Sequence, residues 1–151
     1  MDLAPVRYFQ LGNMKRGIPM QKKDWTDDYL QELVKYNNQL KQVPDESRIQ
    51  RIEILSKQLV LIGKMAAEFS ERYKMIYAER KRVHAQAYID AEKNKAAEAE
   101  LAVVFLRGME AEAYGNMKRW SNAFESTKEE INALKYKVKI DIEDGSSRRG
   151  S

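Results

Sequence analysis

Residues 52–87, IEILSKQLVLIGKMAAEFSERYKMIYAERKRVHAQA, decide the fold. Within them Ile52, Leu55, Leu59, Ile62, Ala66, Phe69, Tyr73, Ile76, Arg80, Val83 and Ala87 follow one another at alternating steps of three and four. A period of 3.5 residues draws one ridge along a helix and keeps that ridge against a second helix in a left-handed coil. Arg80 is the one charged intruder in the ridge. Asp45 or Ser47 is placed to cap the start of this helix.

A second ridge follows at Met117, Trp120, Phe124, Thr127, Ile131, Leu134 and Val138, again in steps of three and four. The two are out of phase. Extending the first forward gives Ala97, Leu101 and Val104, whereas extending the second backward gives Ala99, Val103 and Leu106. Such an offset requires a break or a local unwinding between them. The connecting stretch, DAEKNKAAEAEL, contains Asn94 but neither Gly nor Pro, and its Ala, Glu and Lys favour helix. Two readings follow: a chain reversal near Asn94 that folds two helices into an antiparallel hairpin, or one helix running on to about Gly108 or Gly115. The hairpin is preferred, because each ridge otherwise needs another subunit to cover it.

Upstream, Trp25, Tyr29, Leu33, Tyr36 and Leu40 form an apolar stripe that predicts a helix over residues 24–42. Asp24 or Thr26 would cap it, and Pro44 ends it, since the residue before proline avoids helical angles. Residues 1–23 hold two of the three prolines and two of the seven glycines and read as an irregular arm. The arm carries Val6, Tyr8, Phe9 and Leu11, then Lys15, Arg16, Lys22 and Lys23, and is either a loose end or a docking segment for a partner subunit. Residues 141–151, DIEDGSSRRGS, read as a disordered tail. The expected fold is all-α: a long antiparallel helical hairpin or coiled coil over residues 24–140, with a short N-terminal helix and an irregular arm.

Composition agrees. A chain 33% charged with few glycines and prolines suits long solvated helices. Its apolar runs fall far short of the ~20 residues of a membrane span. Residues 1–17 lack the apolar core of a secretory signal, so a cytoplasmic location is expected. The absence of cysteine removes thiol catalysis, disulfides and Cys-based zinc sites together. His84 is the single histidine, no phosphate-binding or nucleophile motif occurs, and there is no Glu-x-x-His pair for a di-metal bundle. Carboxylate pairs such as Glu68 with Glu71, or Glu110 with Glu112, are ordinary in helices this rich in Glu. No enzymatic activity, metal or cofactor is expected.

Charge is banded. Residues 64–84 are rich in Lys and Arg, residues 85–113 in Asp and Glu, and cations return at Lys118 and Arg119. Opposite bands can set helix register. Basic bands interleaved with aromatics can also hold single-stranded nucleic acid, with cations on phosphates and bases stacked on rings. On the second reading Arg72, Lys74, Tyr77, Arg80, Lys81 and Arg82 are the candidate contacts, with Tyr88 also off the ridge. Tyr73, on the ridge, is expected in the core. Trp120, Phe124, Ile131 and Leu134 are the candidate hairpin or subunit interface. A homo-oligomer would multiply a weak basic patch by avidity.

The segments ERYKMIYAERKRVHAQAYIDAEKNKAAEAEL and EAYGNMKRWSNAFESTKEEINALKYKVKI carry a resemblance over about residues 68–142. In their Lys/Arg-rich helix, KxxAEAEL-like middle and later aromatic helix with Phe124, Glu125, Ser126, Ile131 and Leu134, they resemble small coiled-coil proteins of tailed phages, and recombination mediators of the UvsY kind. The resemblance implies a viral, homo-oligomeric, DNA-binding protein of DNA recombination. Such a protein would bind single-stranded DNA or DNA-processing proteins in the host cytoplasm, with its DNA contacts nearest to residues 72–82. The alternative is a structural or scaffold protein of a virion or similar assembly.

Overall fold

The computed structural model describes residues 24–148. They form α1 (Trp25–Gln42), α2 (Arg48–Asp90), α3 (Lys95–Ala102) and α4 (Val104–Arg148), with no strand among the described residues. The arm, residues 1–23, lies outside them.

Asp24 caps α1. Its carboxylate accepts from the Thr26 backbone N–H at 3.2 Å and from the Thr26 hydroxyl at 2.6 Å. Pro44 ends α1 as expected, and Val43 closes the last turn with an N–H bond to the Leu40 carbonyl at 3.2 Å. Ser47 stands at the cap of α2 without using its side chain. Arg51 instead ties the α1–α2 corner, donating to the Val43 carbonyl at 3.0 Å and the Leu40 carbonyl at 3.4 Å. These are carbonyls that the end of a helix leaves without a partner.

The chain reverses at residues 91–94. Asn94 is the only non-glycine with positive φ among the described residues, at φ 48° and ψ 42°. Asn tolerates this left-handed geometry better than other side chains. The reversal absorbs the phase offset between the two ridges. Ala99 and Val103, on the backward extension of the second ridge, are fully buried. Leu101 and Val104, on the forward extension of the first, stand outside. A short irregularity at Val103 (φ −109°, ψ 3°) separates α3 from α4. Replacing Asn94 by valine should destabilise the protein by about 1–2 kcal/mol, since a β-branched residue resists positive φ. Chemical denaturation against the Asn94→Gly variant, which should lose nothing, checks it.

α2 and α4 pack antiparallel along their length. Phe69 stacks on Trp120 (centroids 6.1 Å apart, planes 4° apart), and Tyr73 meets Tyr114 edge-on at 5.5 Å. Near the open end, Arg48 bridges to Asp141 and donates to the Lys137 carbonyl at 3.2 Å. Gly63 permits close approach: a Cβ there would sit 3.2 Å from the Phe124 ring. Trp120, Ile131 and Leu134 are buried and Phe124 is half-buried, so these four close the hairpin within one chain.

α2 also carries a second buried stripe that the 3.5-residue count does not single out. Ile54, Gln58, Leu61 and Met65 are buried beside the ridge. Leu61 and Met65 join Leu33 of α1, Ile62, Phe69 and Trp120 in the main core. Gln58 is accommodated by donating to the Asn37 side chain at 2.7 Å. α1 thus makes the half of the hairpin near the α1–α2 corner three helices thick. Its start lies beside Arg72, and beyond that point α2 faces only α3 and α4 among the described helices.

One expectation is corrected. Of the tail expected to be disordered, residues 141–151, the part 141–148 continues α4 to Arg148, and 149–151 lie outside the described residues. Gly145 alone costs only about 1 kcal/mol in a helix. The segment also gains from Asp141 receiving Arg48 and from Lys139 standing 3.9 Å from Glu143 one turn on.

Candidate nucleic-acid interface

Beyond Arg72 the two long helices bring three tyrosines together. Tyr73 and Tyr77, one turn apart on α2, have ring centroids 6.3 Å apart, and Tyr114 of α4 joins through Tyr73 at 5.5 Å. Tyr77 and Tyr114 are 37% and 45% exposed, which leaves ring surface open to a ligand. Three cations lie over these rings. The Arg80 guanidinium carbon is 5.3 Å and the Lys81 Nζ 4.8 Å from the Tyr77 centroid, and the Lys118 Nζ is 5.7 Å from that of Tyr114. A cation over a tyrosine face is held by the ring's negative quadrupole. Tyr73, Arg80, Arg107, Glu110, Ala111 and Tyr114 line an open groove between the helices.

Each cation has a different commitment. Arg80, the intruder in the first ridge, pairs with Glu110 of α4, and both side chains are largely buried. Glu110 is itself on the backward extension of the second ridge, four residues after Leu106, so the pair replaces an apolar layer and pins the register. Arg107 pairs with Glu100, which also lies 3.2 Å from His84. Arg72 is 2.8 Å from Glu68 and 3.2 Å from Asp24, and so anchors α1 to α2. Arg82 pairs with Glu79 on its own helix. Lys74, Lys81 and Lys118 are exposed and, among the described residues, none has a carboxylate within ion-pair distance.

Of the six residues singled out from sequence, Tyr77, Arg80 and Lys81 meet in the cluster. Lys74 and Arg82 lie exposed nearby on α2, and Arg72 belongs to the α1 anchor. Tyr73 is half-buried on the ridge yet forms the centre of the aromatic group. Sequence reading missed the α4 half of the site, Arg107, Tyr114 and Lys118. Their signal lies in the register alone: if Arg80 faces Glu110 in an antiparallel pair, Tyr114 falls within a turn of Tyr73.

The α1 anchor is sensitive to acid. Burial would raise the Asp24 carboxyl, but the Thr26 hydrogen bonds and the Arg72 charge outweigh it and hold the group below its ordinary value of 3.8. A depressed folded-state value adds stability that is present above the unfolded value and fades as pH falls through the folded one. Asp24→Asn should therefore lower stability at pH 7, where that contribution is whole, and approach the parent as pH falls well below about 4, as thermal melts across that range would read.

Among the described residues no helix is long and apolar enough to cross a membrane, and no group of His, Cys, Asp and Glu is placed to hold a metal ion. The class defined is an all-α helical hairpin with a third helix on one half and a tyrosine–cation groove on the other. Comparison with family models, with curated proteins and with solved structures finds no match to this chain.

Proposed function

We propose that this protein binds single-stranded nucleic acid across the Tyr73–Tyr77–Tyr114 face and acts as a non-enzymatic helical mediator of DNA recombination or replication. The observation that carries this is the placing of Lys81 and Lys118 over exposed tyrosine rings on two different helices. Rings offer stacking to bases of any sequence, and unpaired lysines beside them meet the phosphates. The resemblance to phage recombination mediators points the same way, and with it go a homo-oligomer, a viral origin and the host cytoplasm. The test is titration of a labelled oligonucleotide at low and high salt. Binding at low salt that weakens steeply as salt rises is expected. No binding at low salt ends the reading.

One observation favours a second reading, a scaffold of a virion or similar assembly. Arg80 with Glu110 and Arg107 with Glu100 pair cations of the hairpin with its own carboxylates, as charges that only set packing would. Mass in solution with and without oligonucleotide separates the two. An assembly indifferent to DNA favours the scaffold.

A further inference from the structure

A third stripe runs along the outward side of α3 and α4. Glu98, Leu101, Phe105, Gly108 and Glu112 follow in steps of three and four, with Val104 beside them. Leu101, Val104 and Phe105 are 69%, 61% and 68% exposed. Three large apolar side chains side by side on a surface mark a place of contact rather than a solvated face. Glu98 and Glu112 bracket them, and neither has a cationic partner within ion-pair distance among the described residues. Beyond them, a Cβ added at Gly108 would meet nothing within 4 Å. The stripe is apolar at its centre and negative at both ends.

We propose that this stripe is the docking site of the chain's own arm, with residues 6–11 lying on Leu101, Val104 and Phe105. The inference is independent of nucleic-acid binding. Charge and composition match: the arm offers Val6, Tyr8, Phe9 and Leu11 as apolar groups, and residues 1–23 carry Arg7, Lys15, Arg16, Lys22 and Lys23 against the single acid Asp2. Reach also matches. The arm joins the bundle at Asp24, which is held 3.2 Å from Arg72. Because Arg80 faces Glu110 and His84 faces Glu100, Val104 lies across from about residue 82. That is about 15 Å along the hairpin from Arg72 at 1.5 Å per helical residue. From residue 11 to residue 24 the extended chain spans up to about 43 Å, enough to cover that length and pass round a helix. A segment tethered this closely meets its own site at high effective concentration, which favours its own chain over a second copy.

The lack of cysteine makes the test clean. In the Phe9→Cys/Val104→Cys variant a short bismaleimide should bridge the two thiols within one chain several-fold faster than in Phe9→Cys/Val60→Cys. Val60 is a fair control: it is 59% exposed, comparably far from Arg72 along α2 on the other side, and flanked by Lys57 and Lys64 rather than by acids. Equal bridging rates overturn the proposal, and so does bridging mainly between chains. A second variant, Glu98→Lys/Glu112→Lys, keeps the apolar centre and should raise the rate of tryptic cleavage after Arg7 several-fold at unchanged helicity. An unchanged rate overturns the charge match on which the docking rests.

Discussion

Replacing Trp120 by alanine is expected to cost about 3–5 kcal/mol. Its indole is 4% exposed and lies parallel to the Phe69 ring. Around it meet Leu33 of α1, Ile62 and Met65 of α2, and the neighbouring turns of α4. Truncation there removes a large apolar surface and the ring pairing, and it leaves a cavity walled by three helices. Because α2 is pinned to α4 through Arg48 at one end and Arg80 at the other, the walls cannot collapse freely. The melting temperature should fall by roughly 10–20 °C for a domain of this size. Circular dichroism during thermal and chemical denaturation would measure both. A cost below about 1 kcal/mol would mean that the core is not built around this residue.

The largest effect expected on binding comes from Lys81→Glu combined with Lys118→Glu. Both side chains are exposed and unpaired, so the reversal should leave stability nearly unchanged. Two phosphate contacts would become two repulsions. Affinity for an oligonucleotide should drop by at least about tenfold at low salt, and the slope of log affinity against log salt should shrink by about two. Tyr77→Ala should act through stacking instead, weakening binding by about 1–3 kcal/mol with the salt slope unaltered. Arg72→Glu is a poor probe by comparison, because it breaks the Arg72–Asp24 pair that anchors α1 to α2, together with the Arg72–Glu68 pair. Unchanged affinity in the double reversal would place any nucleic acid elsewhere on the molecule.

Much of the fold was legible because helices are local. The two ridges, the stop at Pro44 and the reversal near Asn94 each follow from spacing or from one residue's backbone preference. The offset of the ridges had a plain physical meaning: two helices that turn back on each other need not share a phase. The second buried stripe of α2 was harder to see. Ile54, Leu61 and Met65 lie among so many other apolar residues that a count tuned to one partner helix passes over them. Residues 141–148 were misjudged from composition, because Asp141 is held by Arg48, a residue remote in sequence.

The candidate site was half legible. Tyr77, Arg80 and Lys81 stand within one turn of each other, so local reading finds them. Tyr114 and Lys118 reach them only through the antiparallel register, and nothing adjacent in sequence announces that they belong together. Arg80 shows the limit of reading charge alone. It stands within a basic run, yet its first partner is Glu110 across the hairpin, and its place over Tyr77 follows from that pairing.

With α1 reaching only as far as Arg72, the hairpin is clasped by a third helix at its open end and held at the other by the reversal and two helices alone. Amides near Ile62 and Met65 should exchange with solvent only when the whole molecule opens. Those between Arg80 and the turn should exchange through smaller, more frequent local unwinding. The tyrosines sit at the boundary between the clasped and the looser halves, so whatever settles between α2 and α4 there would slow exchange on the turn side.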